Sequence, residues 1–308
     1  MKLNLETTEV DSLKRTLSLI SSLRKFVLLR FSPEYLMLIL VNGRSIQLEP
    51  QVWCKLKMSS IFHQIEVKSQ RDNVITLEIN IELLITTLKN FEKANSDGLK
   101  IRLQRNITNQ TSKSSRLASL AILYSTYNIN SNYINNQFRI PIKILKSEND
   151  LSILKEPQIS DVGLIVNLPQ KFQAIYKRFE KFKKIGDDML RINVNTKTGL
   201  KFILEDDGKF KVTIQWNDKL EIQKPMTDLD SESLRSALSN HDTTDQVIEL
   251  EIMVKLLDWQ LTARLINECK TVILIISSLE CALHCLLDDT DDVGIIYYIS
   301  NYRIVDHD

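Results

Sequence analysis

Glycine and proline are scarce in this chain, 7 and 6 of 308 residues. That excludes collagen-like and proline-rich architectures, and helices and strands must therefore meet in short polar turns. Cysteine is scarce as well. Four in a chain of this length fit a reducing compartment, and a chain this long holds a core without disulfides or metals. Apolar runs such as Val272 to Ile276 fall far below the ~18 residues that a membrane-spanning helix needs, so no membrane partner is expected. The first eight residues have no apolar stretch and no small-residue cleavage site, so no secretion leader is expected and the sequons at Asn106 and Asn109 read as chance matches. An excess of one charge is missing too: 40 Lys+Arg against 39 Asp+Glu leave +1. Bulk charge thus offers no argument for a polyanionic partner, and only a local concentration of cations could supply one.

Catalytic motifs are absent. The chain contains no G-x-x-x-x-G-K-[ST], no G-x-G-x-x-G, no H-E-x-x-H and no G-x-S-x-G. Nucleotide hydrolysis, dinucleotide binding and the commonest hydrolase sites have no local support, so neither an enzyme nor a cofactor is expected. The nearest approach to a metal site is Cys281-Ala-Leu-His284-Cys285, which lacks the second ligand pair of a closed zinc site. On a strand, Cys281 and Cys285 share one face and His284 points to the other. The acidic run Asp288, Asp289, Asp291 and Asp292 lacks the glycine and spacing of a calcium loop and reads as a solvated hairpin. Ser69-Gln70 is a dipeptide of the kind that checkpoint kinases prefer.

What is present is a loosely repeated unit. Val10, Leu13, Leu17 and Ile20 form the apolar stripe of an amphipathic helix; Ile81, Leu84, Leu88 and Phe91 repeat its spacing, as do Phe172, Ile175, Phe179 and Phe182. A fourth, less regular helix over 258–269 carries Leu261, Leu265, Ile266 and Cys269. These helices start about 70–90 residues apart, too long for a solenoid repeat and long enough for one helix plus several strands. Thr8 to Asp11 reads as a capping box, Asn80 as the cap of the second helix, and Pro169 and Gly186 bracket the third. Between the helices, β-branched and aromatic residues predict strands at 25–31, 35–41, 52–57, 74–79, 99–104, 118–124 and 137–144, then at 162–168, 189–194, 200–205, 210–216, 247–252, 271–277, 281–287 and 294–300. Hairpin turns are expected at Asp206-Asp207-Gly208 and Thr196 to Gly199. Polar stretches at 106–116, 128–136 and 224–245 read as surface loops, and a polar segment at 146–160 divides the chain into 1–145 and 161–308 as an interdomain connector.

The local concentration of cations lies on the third helix. At about 100° per residue, Lys177, Arg178, Lys181 and Lys184 fall away from the apolar stripe. Glu180 is the only anion among them. Opposite the apolar stripes of the other helices lie Lys14 and Arg15, then Lys89 and Lys93 with Glu82 among them, then Arg264 and Lys270. Cationic outer faces spread through the chain suit a surface that meets a double-stranded DNA backbone without reading bases. No aromatic platform accompanies them, which disfavours single-strand stacking.

The segments Leu29-Arg-Phe-Ser-Pro-Glu-Tyr-Leu36, Val52-Trp-Cys-Lys-Leu56, Phe138-Arg-Ile-Pro-Ile-Lys-Ile-Leu145, Val166-Asn-Leu-Pro169, Asp258-Trp259 and Gly294-Ile-Ile-Tyr-Tyr-Ile299 resemble the Hus-one/Mec-three family, its fungal Mec-three branch in particular. The resemblance runs through most of the chain in scattered short blocks. It implies an α+β, PCNA-like sliding-clamp (DNA clamp) fold with two domains, each of two βαβββ units. It further implies a non-catalytic subunit of the heterotrimeric DNA-damage checkpoint clamp, nuclear, with two other PCNA-like checkpoint clamp subunits and an RFC-like checkpoint clamp loader as partners, encircling DNA and supporting checkpoint kinase activation. By position in such rings, the edge strands that join neighbouring subunits are 137–144 and 209–217, with Arg139, Ile140, Phe210, Val212 and Trp216 as interface candidates. The alternative is a protein-interaction scaffold of the same fold that uses the connector as its docking groove and does not touch DNA.

Overall fold

The computed structural model describes residues 1–41, 49–94, 96–105, 118–127, 133–147, 151, 154–159, 161–179, 181, 189–206, 210–216, 218–224 and 247–301. Phe182, Lys184, Gly186 and the Asp206-Asp207-Gly208 turn beyond Asp206 lie outside them, as do the sequons, the 106–116 loop and most of the 224–245 loop. The chain forms two compact units, Met1–Leu40 with Trp53–Lys155 and Val41–Val52 with Glu156–Asp308.

The first unit begins with β1 (Lys2–Thr7), in which Leu3, Leu5 and Thr7 are buried and the intervening residues are not, the alternation of a strand covered on one face. Helix α1 (Asp11–Ser21) follows, then β2 (Phe26–Phe31), β3 (Tyr35–Leu40) and β4 (Gln51–Lys57, from Trp53 onward in this unit). A single turn, α2 (Met58–Ile61), leads to β5 (Gln64–Lys68) and β6 (Ile75–Asn80), then α3 (Ile81–Lys93), β7 (Leu99–Arg105), β8 (Ala118–Tyr127) and β9 (Tyr133–Ile144). The strands lie in the order β5-β1-β7-β8-β9-β6-β2-β3-β4. The stripes of α1 and α3 are buried as their spacing predicts: Leu13, Leu17, Ile20, Leu84, Leu88 and Phe91 are at most 4% exposed. Phe91 meets the ring of Tyr124 edge-on at 5.5 Å, and Tyr124 stacks on Phe138 at 5.8 Å, which seats α3 on β8 and β9.

The second unit repeats that order. It runs β10 (Leu164–Leu168), a 3-10 turn (Gln170–Phe172) leading into α4 (Gln173–Phe179), then β11 (Met189–Asn195), β12 (Gly199–Asp206), β13 (Phe210–Gln215), β14 (Glu221–Gln223), β15 (Glu249–Lys255), α5 (Leu256–Leu261), α6 (Ala263–Glu268), β16 (Thr271–Ile276), β17 (Glu280–Leu286) and β18 (Val293–Ser300). One run of strands is ordered β14-β10-β16-β17-β18 and a four-stranded sheet is ordered β13-β12-β11-β15. At the β11–β12 turn the Asn195 side chain accepts from the amides of Lys197 and Thr198 at 2.9 and 3.1 Å, and Gly199 takes the positive φ of 85° that closes it.

Each unit is therefore a βαβββ motif, one linking strand, and a second βαβββ motif. The linking strands β5 and β14 and the first strand β1 each carry no more than two apolar residues, too short an alternation to stand out along the chain. The capping box expected at Thr8 does not form: Val10 is the N-cap without a side-chain bond, while the Thr7 hydroxyl accepts from the Glu9 amide at 3.2 Å. Asn80 does cap α3, its side chain accepting from the Glu82 amide at 3.0 Å.

The fourth helix departs from its expected stripe. It breaks at Thr262, whose hydroxyl donates to the Trp259 carbonyl at 2.7 Å and tightens the turn. The core positions become Leu256, Trp259, Thr262, Leu265, Ile266 and Cys269, and Leu261 is left 42% exposed. Cys281 and Cys285 lie on the buried face of β17 with His284 half-buried on the other. Burial pushes the Cys281 thiol up, and the adjoining Cys269 thiol together with burial does the same for Cys285. Such neutral thiols act as small core hydrophobes.

Candidate nucleic-acid interface

In the first unit the outward face of the helix pair is built by α1 and α3, which cross-link through Lys14. Its ammonium donates to Asp11 at 2.8 Å and also to Glu92 of α3. These carboxylates raise the Lys14 pKa, and Lys14 in turn lowers that of Asp11. Two anions on one cation leave no positive charge for a polyanion at Lys14. Arg15, Lys89 and Lys93 are exposed. Glu82, also exposed, faces Lys25 at 3.6 Å.

In the second unit Lys177 and Arg178 are exposed in the last turn of α4, where the Gln260 side chain donates to the Phe179 carbonyl at 3.3 Å. Lys181 and Arg264 are exposed as well. The position of α4 follows from an aromatic cluster beneath it: Phe172 meets Phe202 at 5.7 Å, and Tyr176 stacks on Trp259 at 5.8 Å and 7°. Thr262 spends its proton on Trp259, so the buried Tyr176 hydroxyl donates to Thr262, at 2.6 Å. Burial holds the Tyr176 phenol well above its usual range. Lys270 is turned to another use, its ammonium pairing with Asp289 in the acidic β17–β18 hairpin. A helical projection of one segment cannot see an acid supplied by another.

Of the ten cations that the helix faces predict, Lys89, Lys93, Lys177, Arg178, Lys181 and Arg264 are exposed and form no ion pair among the described residues, Arg15 is exposed, Lys14 and Lys270 are compensated, and Lys184 lies outside the described residues. The outward face of α5 is apolar instead: Leu257 and Leu261, one turn apart, are 65% and 42% exposed.

The strand edges expected to face neighbouring chains are both open within their units. β9 pairs with β6 only at Ile142–Ile144, so its edge before Pro141 has no strand partner among the described residues. Proline, which lacks an amide hydrogen, is tolerated at such a boundary. β13 ends the four-stranded sheet. Arg139 is exposed, and Phe210 and Val212 are half-buried. Ile140 is corrected to core, 4% exposed opposite Leu120, because the pleat turns alternate residues of β9 inward. Trp216 also turns inward, its ring 5.6 Å from Phe172 and its indole N–H enclosed without a partner.

The profile of the Hus1-like protein family matches residues 1–303. The checkpoint protein hus1 of Schizosaccharomyces pombe is 27% identical over 190 residues, 62% of this chain and 61% of that protein. The DNA damage checkpoint control protein MEC3 of Eremothecium gossypii is 22% identical over an alignment covering 89% of each chain. Among solved structures, the proliferating cellular nuclear antigen of Entamoeba histolytica superposes with a TM-score of 0.61 over 98% of this chain and 99% of that one, at 14% identity. The likeness gives the α+β, PCNA-like clamp fold, and the profile match across nearly the whole sequence assigns the chain to the Hus1-like protein family.

Proposed function

We propose that this chain is a non-catalytic subunit of a DNA-damage checkpoint clamp. It joins two other clamp-like chains in a ring, is placed on duplex DNA in the nucleus by an RFC-like clamp loader that consumes the ATP, and supports checkpoint kinase activation there. The observation that carries this reading is the pair of open strand edges, one per unit, at β9 and β13. Unpaired edges invite a partner strand, and two of them on one chain support head-to-tail closure. The exposed cations of α3, α4 and α6 suit the sugar-phosphate backbone. The reading is tested by reversing Lys177, Arg178 and Lys181 to Glu in the assembled ring. Retention on closed circular DNA is expected to fall, with the slope of log affinity against log salt flattened by about 0.9 per lost phosphate contact. Unchanged retention and slope would count against DNA contact.

A second reading has its own support. Lys14 and Lys270 are compensated and α5 presents leucines, which suits a scaffold of clamp fold that holds partners without touching DNA. The connector is built for a fixed position in that case, since Arg30, half-buried, donates to the Leu154 carbonyl at 3.2 Å and Arg71 to that of Lys146. A ring that forms but lacks salt-dependent DNA association would favour it.

A further inference from the structure

The outer face of β5-β1-β7-β8-β9, turned away from the helices, carries a cationic row that includes the interface candidate Arg139. Arg102 of β7, Ala121 of β8 and Arg139 of β9 stand directly opposite one another in register. All three point to the same face, and two strand spacings separate the arginine backbones by about 9–10 Å. Ala121 between them is fully buried, and the Gln137 amide, in register with Leu123, donates to Gln104, in register with Ser119, at 3.2 Å, so this amide pair crosses β8 and floors the space between the arginines. Arg102 is oriented by Asn4 of β1, which accepts from its Nε at 2.9 Å and leaves the outer edge of its fork open. Arg139 is exposed and makes no ion pair among the described residues. The carboxylates nearby are otherwise engaged: Glu6 pairs with Lys100 at 2.9 Å, and Glu66 with Lys2 and Lys68 at 2.7 and 2.9 Å.

Beside this row opens a groove of about 660 Å³, lined by Lys100, Arg102, Leu123 and Gln137 and ending at Asp97. That volume lies within the ~300–1,000 Å³ of ordinary ligand sites. We propose that this face binds a phosphorylated peptide, the phosphate held between the guanidinium groups of Arg102 and Arg139 and a basic residue of the peptide reaching Asp97. Two planar forks above an amide floor match the oxygens of one phosphate dianion. A nucleic acid fits less well, because a phosphate flanking the bound one would meet Asp97. Asp97 stands five residues before Arg102, in the bend that leads into β7, so at most about 16 Å separates them, which places the basic residue within about five positions of the phosphoresidue. Strand pairing along the β9 edge adds a neighbour in the plane of the sheet and leaves this face open, so the inference stands apart from ring assembly.

The test is fluorescence anisotropy with the full chain and a labelled peptide carrying one central phosphoserine and an arginine five positions to each side. Removal of the phosphate is expected to weaken binding at least tenfold. Arg102→Ala and Arg139→Ala should each do the same while leaving the thermal unfolding midpoint unchanged, and Arg102→Lys, which keeps the charge without the fork, should recover only part. Equal affinity for the unphosphorylated peptide, or unaltered binding by the Arg102→Ala/Arg139→Ala chain, would overturn the proposal. So would displacement of the peptide by a short DNA duplex, or by inorganic phosphate mole for mole.

Discussion

The two units run the same succession of strands and helices through different side chains. In the first, α1 and α3 are regular helices of 11 and 13 residues, and they bury mainly leucine and isoleucine. In the second, α4 is described over Gln173–Phe179, its partner is split into α5 and α6 of 6 residues each, and the rings of Phe172, Tyr176, Phe179, Phe202 and Trp259 interlock beneath them. Large rings spanning the layer take the place of the leucines and isoleucines of the first unit. The sheets differ in the same spirit. β6 and β9 are hydrogen-bonded in the first unit, whereas in the second the Met253 amide of β15 donates to the Asn301 side chain at 2.9 Å in place of a strand partner. What the pair teaches is that the binary pattern of buried and exposed positions specifies the motif, and that residue identity decides how each copy fills its core.

The sharpest way to break this comparison is to remove the keystone of each core. Trp259→Ala should destabilise the second unit by about 3–5 kcal/mol, since its indole touches both Tyr176 and Phe202 and nothing nearby can fill the void. Leu17→Ala should cost the first unit about 2–5 kcal/mol, toward the lower end if its aliphatic neighbours relax into the space. Denaturant unfolding followed by tryptophan fluorescence and by far-UV circular dichroism checks both, and a larger loss for Leu17→Ala than for Trp259→Ala would reverse the order expected. Next in size is the buried polar link. Tyr176→Phe removes the donor to Thr262 and should cost about 1 kcal/mol, whereas Thr262→Val also frees the Trp259 carbonyl from its side-chain bond and should cost more. The reverse order would mean that the hydroxyl pair does not set the helix break. Smallest is the cap: Asn80→Ala should lose about 1 kcal/mol from α3 alone, read as faster amide exchange in its first turn.

Much of this architecture is written in local pattern. The stripes of α1, α3 and α4 and the alternation of most strands are visible along the chain because each depends on nearby residues and one core. What escapes is set by distant partners. Tyr176 and Trp259 are amphipathic, so their full burial follows from each other rather than from spacing. Leu261 becomes exposed through a hydroxyl one residue along. The same division runs through the candidate interface. The outward direction of Lys89, Lys93, Lys177 and Arg264 follows from helical periodicity, while the compensation of Lys14 by Glu92 and of Lys270 by Asp289 comes from other elements. Arg102 was within reach, since Leu99-Lys-Ile-Arg-Leu-Gln104 alternates cleanly, but its meaning needs the register that puts Arg139 two strands away.

The account rests on one chain offering two complementary strand edges to two different neighbours. Co-expression with two other clamp-like chains, followed by mass determination of the purified assembly in solution, tests it most directly. One copy of each chain in a closed trimer is the result expected; a monomer that persists beside both would contradict it.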